Sequence, residues 1–190
     1  MKRCCAIFAV LFTLACFAFA AAEEFRAPEG FTISYPAGWL AISKATETKS
    51  IPADVAEWMG KSKVERGSAS VLLIHPDNGD FMEYAKVGPT SYKPINNYTL
   101  TNLVGNSQQE FGSKGMTADI WEARIKDVGG VNAMVLDYKV RSAALDEPLH
   151  VRQYYFSKQG TSYVVTCTAK WGTFGTYAGA FEGMAASLKW

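Results

Sequence analysis

Cysteine is scarce where it would matter. Three of the four cysteines, Cys4, Cys5 and Cys16, fall within the first 22 residues, and the remaining chain holds only Cys167. A lone cysteine cannot close an intramolecular disulfide, so no staple is expected. Histidine is scarcer still, with His75 and His150 standing 75 positions apart. Neither belongs to an H-E-x-x-H helix, and the chain has no Gly-x-Ser-x-Gly elbow and no Gly-rich phosphate loop. Excess charge is lacking too: 19 basic residues face 18 acidic ones. Without a basic stripe to neutralise phosphates, nucleic acid is excluded as a partner. No internal repeat and no low-complexity tract interrupts the chain.

What is present begins at the N-terminus. Met1-Lys2-Arg3 is a short basic head, Cys4 to Ala20 carries no charge, and Ala20-Ala21-Ala22 leads into Glu23-Glu24. A basic n-region, an apolar h-region and a small-residue site are the three parts of a secretory signal peptide. Cleavage after Ala20 or Ala22 fits, so residues 1–22 are expected to be removed and residues 23–190 to form one exported domain, periplasmic or extracellular. Two readings compete. The run is near the length of a membrane anchor, and Cys16 could be the acylated residue of a lipoprotein, although Thr13 stands where a lipobox usually has Leu. Removal of residues 1–22 takes Lys2 and Arg3 and no acid, which leaves 17 basic against 18 acidic residues and a charge of −1. The rest is long enough to bury a real core without metals or disulfides.

Glu23 to Gly30 reads as a polar lead. Phe31 to Tyr35 alternates as a half-buried strand, Pro36-Ala37-Gly38 turns, and Trp39 to Ile42 starts a second strand. Ile51 to Met59 has helical spacing. Ala69 to His75 is a strongly apolar strand, Pro76 to Asp80 is a turn around Asn78-Gly79, and Phe81 to Val87 returns. In that strand Phe81, Glu83, Ala85 and Val87 share one face, while Met82, Tyr84 and Lys86 share the other. Tyr98 to Phe111 reads as a helix capped by Thr99, with Leu100, Leu103, Val104 and Phe111 as its stripe and Gly112 and Gly115 at its end. Ile120 to Val128 and Val131 to Val140 form a hairpin over Gly129-Gly130. His150 to Phe156 and Ser162 to Ala169 form another across Ser157 to Thr161. Phe174, Tyr177, Phe181, Met184 and Leu188 line one face of a last helix. Antiparallel hairpins with helices between and after them predict an α+β fold, an antiparallel β-sheet with helices packed on it.

Few residues stand out chemically. His75, Asp77 and Asp80 could ligate a metal, but Asp, Asn and Gly are also what a tight turn uses, and the spacing is not that of a calcium loop. Cys167 lies in an alternating strand and reads as a small core residue rather than a nucleophile. Asn97-Tyr98-Thr99 matches a glycosylation sequon by chance. Trp39, Trp58, Trp121, Trp171 and Trp190 form the most informative set, as core or as an aromatic patch for a partner. Trp39 follows a turn and reads as core.

Phe31-Thr32-Ile33-Ser34-Tyr35-Pro36-Ala37-Gly38-Trp39 resembles the F-x-x-x-Y-P-x-G-W opening of PsbP-like domains. Arg152, Tyr154-Tyr155-Phe156, Tyr163 to Ala169, Phe174, Tyr177, Phe181 and Ser187-Leu188 resemble their closing part. The resemblance implies an α/β/α sandwich, found in extrinsic photosystem proteins and in small exported bacterial envelope proteins that act by binding and assembly. The expectation is therefore a non-enzymatic envelope module that binds a protein or assembly partner. The alternative is a carrier or sensor of a small apolar ligand held in a cavity between sheet and helices. No catalytic, cofactor-binding or metal residue, no cofactor and no retained transmembrane span is expected.

Overall fold

The computed structural model describes residues 22–62, 69–76 and 81–190. The signal segment with Cys16 lies outside the described residues, apart from Ala22, as do Asp77 and Asp80.

Two strands, β1 (Ala22–Arg26) and β2 (Thr32–Pro36), form an antiparallel ribbon. Seven more build the main sheet: β3 (Leu40–Ser43), β4 (Val71–Ile74), β5 (Tyr84–Pro89), β6 (Thr117–Val128), β7 (Val131–Arg141), β8 (Leu149–Lys158) and β9 (Thr161–Lys170). Their order is β3-β4-β5-β9-β8-β7-β6, with every pairing antiparallel. Three helices, α1 (Ala53–Lys61), α2 (Asn97–Ser113) and α3 (Phe174–Ser187), pack on it. This is the α+β architecture expected from the hairpin pattern. No helix among the described residues is long and apolar enough to cross a membrane.

Strand alternation divides the interior into layers. Along β7, Ala133 and Val135 face α3 and the β1–β2 ribbon, while Met134, Leu136 and Tyr138 face α2. Along β9, Tyr163, Val165, Cys167 and Ala169 face α3, and Val164 faces α2. At the other end of the sheet Leu72 and Ile74 bury Val55 and Trp58 of α1. Each large side chain buried this way contributes about 1.5–3 kcal/mol. The end of α3 is tied to the ribbon: Thr32 and Lys189 exchange backbone hydrogen bonds of 2.8 and 3.0 Å. Ser187 Oγ accepts the Ser34 N–H at 2.8 Å.

Four expectations need correction. The polar lead contains β1, whose residues are mostly exposed, so no apolar alternation marks it; its order comes from pairing with β2. The cap of α2 is Asn96, whose Oδ1 accepts the Thr99 N–H at 2.8 Å, and Thr99 is itself a buried helical residue. Phe81 precedes β5 and does not share the face of Ala85 and Val87; its ring packs on Trp58 and Tyr84 instead. The β8–β9 turn is two residues, Gln159-Gly160, because Lys158 already pairs with Thr161. The expected end of α2 agrees with the fold: Gly115, at φ +68°, follows Lys114 at the C-cap. Asn96→Ala should cost about 1 kcal/mol in urea unfolding, since it orphans a helix N-terminal N–H.

Candidate functional site

The five tryptophans separate by environment. Trp39 is buried against His75, Tyr177 and Phe181, and Trp58 against Phe81 and Tyr84. Trp190 is half-buried against Phe156 and Tyr163. Trp121 and Trp171 remain, 49% and 43% exposed. They lie 50 positions apart in sequence and yet touch edge to face, with ring centroids 5.3 Å apart.

Local structure brings them together. Ile120 pairs with Tyr138, but Glu122 pairs with Asp137, so Trp121 sits in a bulge of β6. A bulge adds one residue and resets the alternation. Ile120 thus joins the α2 side while Trp121 reaches His150 and Trp171 across β7. Trp171 follows the end of β9 and precedes α3, and its backbone N–H donates to the Pro148 carbonyl at 2.9 Å.

Beneath the pair lies an ionic cluster. Asp137 is fully buried. Its Oδ1 is 2.7 Å from His150 Nε2, and Arg152 Nε donates to both carboxylate oxygens at 2.8 and 3.0 Å. Burial alone would raise the Asp137 carboxyl. The hydrogen bonds from His150 and Arg152, with their charges, outweigh burial and hold it below its ordinary value of 3.8. The His150 ring stacks on Phe174 at 3.3 Å and meets Trp121 at 4.8 Å and Trp171 at 5.6 Å. The Arg152 guanidinium lies over the same Phe174 ring, 5.3 Å from its centroid. Lys139 Nζ stands 4.1 Å from the Trp171 ring centroid, within cation–π range. The arrangement is a rigid aromatic surface with a fixed charge pattern, suited to holding an apolar group next to a charged one.

Other candidate residues fall elsewhere. His75 packs between Trp39 and Tyr177 at 5.4 and 5.3 Å, away from His150. Its proposed partners Asp77 and Asp80 lie outside the described residues. Among the described residues no three His, Cys, Asp or Glu side chains are grouped to hold a metal. Cys167 is fully buried, and burial pushes its thiol up, away from a reactive thiolate. Asp137 and Lys139 were not singled out by sequence motifs. The available signal was a carboxylate inside the apolar run Ala133 to Val140, since a buried acid must find a cation.

No family model matches the sequence, and no curated protein matches it. Solved structures do. Over 94% of this chain and 98% of its own, cyanobacterial PsbP (CyanoP) from Synechocystis sp. PCC 6803 is similar at TM-score 0.60 and 17% identity. The Ran-binding protein Mog1p of Saccharomyces cerevisiae is similar at TM-score 0.53 and 11% identity, over 90% of this chain and 95% of that one. A protein of Bacteroides thetaiotaomicron matches at TM-score 0.55 and 14% identity over 88% of this chain, but over only 47% of its own. The fold is therefore the PsbP/Mog1-like α/β sandwich, a fold whose members include binding proteins.

Proposed function

We propose that this chain of PsbP/Mog1-like fold is an exported, non-enzymatic module that docks a protein partner in the cell envelope through Trp121 and Trp171. The observation that carries the reading is the exposed, mutually supported tryptophan pair. Core tryptophans need no such exposure, and binding hot spots are enriched in tryptophan. Export is supported by the basic, apolar and small-residue order of residues 1–22.

The small-ligand alternative draws less support. It requires space between sheet and helices, and on the α3 side that space is occupied by Phe31, Ile33, Tyr154, Phe156 and Phe181. A shallow concavity of about 220 Å³ lies at the far end of α3, near Val131, Lys158, Leu188 and Trp190. Ligand pockets are usually larger, at ~300–1,000 Å³.

Site-specific photocrosslinking in the native envelope tests the docking face. A photoreactive phenylalanine at position 121 should give one discrete adduct, and the same group at Tyr98 on the opposite side should give none. Adding Trp171→Ala should abolish the adduct with no change in melting temperature. Equal labelling from both positions, or none, would sink the proposal. Intact mass tests export: the chain should start at Ala21 or Glu23, and a chain retaining Met1 or carrying lipid on Cys16 would overturn a free exported form.

A further inference from the structure

The cations around the tryptophan pair other than Lys139 each have an acid partner. Arg124 pairs with Glu122, and Arg141 with Asp119. Arg152 pairs with Asp137 at 2.8 Å, and Lys170 with Glu147 at 3.1 Å. Lys139 is different. The residue across from it on β6 is Asp119, but that carboxylate is taken by Arg141. Across from it on β8 is His150, which is committed to Asp137. Lys139 has no carboxylate partner among the described residues, and its ammonium stands over exposed Trp171. Lys139 thus stands without a carboxylate partner beside two half-exposed indole rings, while the neighbouring cations Arg124, Arg141, Arg152 and Lys170 are each paired.

Resting on the docking reading, we infer that the segment bound at this face is an acidic–apolar peptide of the partner: an Asp or Glu that meets Lys139, next to an apolar side chain that covers Trp121 and Trp171. The physical reason is complementarity. An apolar group gains by removing the indole surface from water. A carboxylate beside it would pair with the Lys139 ammonium, whereas a basic side chain would meet a like charge close to a low-dielectric surface. A purely apolar segment would strip water from Lys139 without replacing it.

Selection of a displayed random peptide library on the isolated full chain tests this. Binding of the winners is then measured on wild type, Trp121→Ala/Trp171→Ala, Lys139→Glu and Lys139→Met. Melting temperatures first establish that each variant is folded. The expected winners depend on the tryptophans and are enriched in Asp or Glu next to Leu, Ile or an aromatic residue. They should bind Lys139→Glu at least about tenfold more weakly, as expected for a like-charge contact. Lys139→Met should bind them less tightly than wild type and with less salt dependence. Selection on Lys139→Glu should enrich Lys or Arg instead. Tryptophan-dependent winners without acidic enrichment, bound equally by Lys139→Glu, would overturn the acidic assignment and leave the docking face standing. Absence of tryptophan-dependent winners would overturn both.

Discussion

Asp137→Ala should destabilise the protein by about 3–5 kcal/mol, because it strands the Arg152 guanidinium beneath α3 without its counter-charge and leaves His150 Nε2 without its hydrogen-bond partner. The reason is asymmetric energetics. A buried pair gains little over an apolar pair, but removing one member leaves the other charge uncompensated in a dry site. Asp137 is fully buried, and Arg152 and His150 side chains are 18% and 13% exposed, so water can repay little. Asp137→Asn keeps the shape and loses the charge, and should cost about 1.5–3 kcal/mol, the range for hydrogen bonds to charged groups. Urea unfolding at neutral pH measures both. The pH dependence has a definite sign. The folded carboxyl lies below its ordinary value of 3.8. Its contribution is complete above that value and is lost as pH falls through the lower folded value. The gap between wild type and Asp137→Asn should therefore close as pH drops below about 4. A gap that stays constant from pH 7 to pH 3 would refute the ionic role. Because His150 also supports Trp121 and Trp171, the alanine variant should lose partner binding with stability, while neither tryptophan substitution should affect stability strongly.

Gly129→Ala is expected to be comparably severe for a different reason. Gly129 and Gly130 form the β6–β7 turn with φ of +64° and +84°. A Cβ on Gly130 would meet open space, so Gly130→Ala pays for conformation alone, about 1–2 kcal/mol. A Cβ on Gly129 would lie 2.2 Å from the Ala186 carbonyl oxygen and 2.9 Å from its carbonyl carbon. Those are backbone atoms at the end of α3, and they cannot swing aside as a side chain would. The end of α3 must move, and with it the Lys189–Thr32 bridge that ties the helix to β2. Strain and overpacking together should cost roughly 3–5 kcal/mol. The paired comparison by thermal melting isolates the close approach. Equal effects at the two glycines would mean that the turn conformation alone matters and that α3 is not pressed onto it.

Much of the fold was legible because it is written in local period. β2 and the middle of β9 alternate, α3 repeats its aromatic positions at 3 and 4, and Gly129-Gly130 marks a tight hairpin. Each signal arises within ten or so residues and needs no partner to be read. The failures share a cause as well. β1 has one half-buried residue, Phe25, and its order comes from an edge of β2 that the local sequence does not reveal. Phe81 precedes its strand, so alternation did not govern it. Thr99 was expected as the cap of α2, but it is Asn96 whose side chain reaches a free N–H, and that depends on the backbone before the helix.

The candidate site divides the same way. Sequence alone determined that tryptophans were numerous, that Cys167 lay in a strand, and that no motif assembled a catalytic centre. It could not show that Trp121 touches Trp171, that Asp137 receives both His150 and Arg152, or that Asp119 goes to Arg141 and leaves Lys139 with no carboxylate partner among the described residues. Those facts depend on the β6–β7 and β7–β8 registers and on one bulge, which bring together residues 13 to 50 positions apart. Periodicity tells a residue which face it occupies, because that is decided by its own backbone. Which neighbour it meets on that face is decided by the pairing of separate strands, and only the tertiary structure sets it.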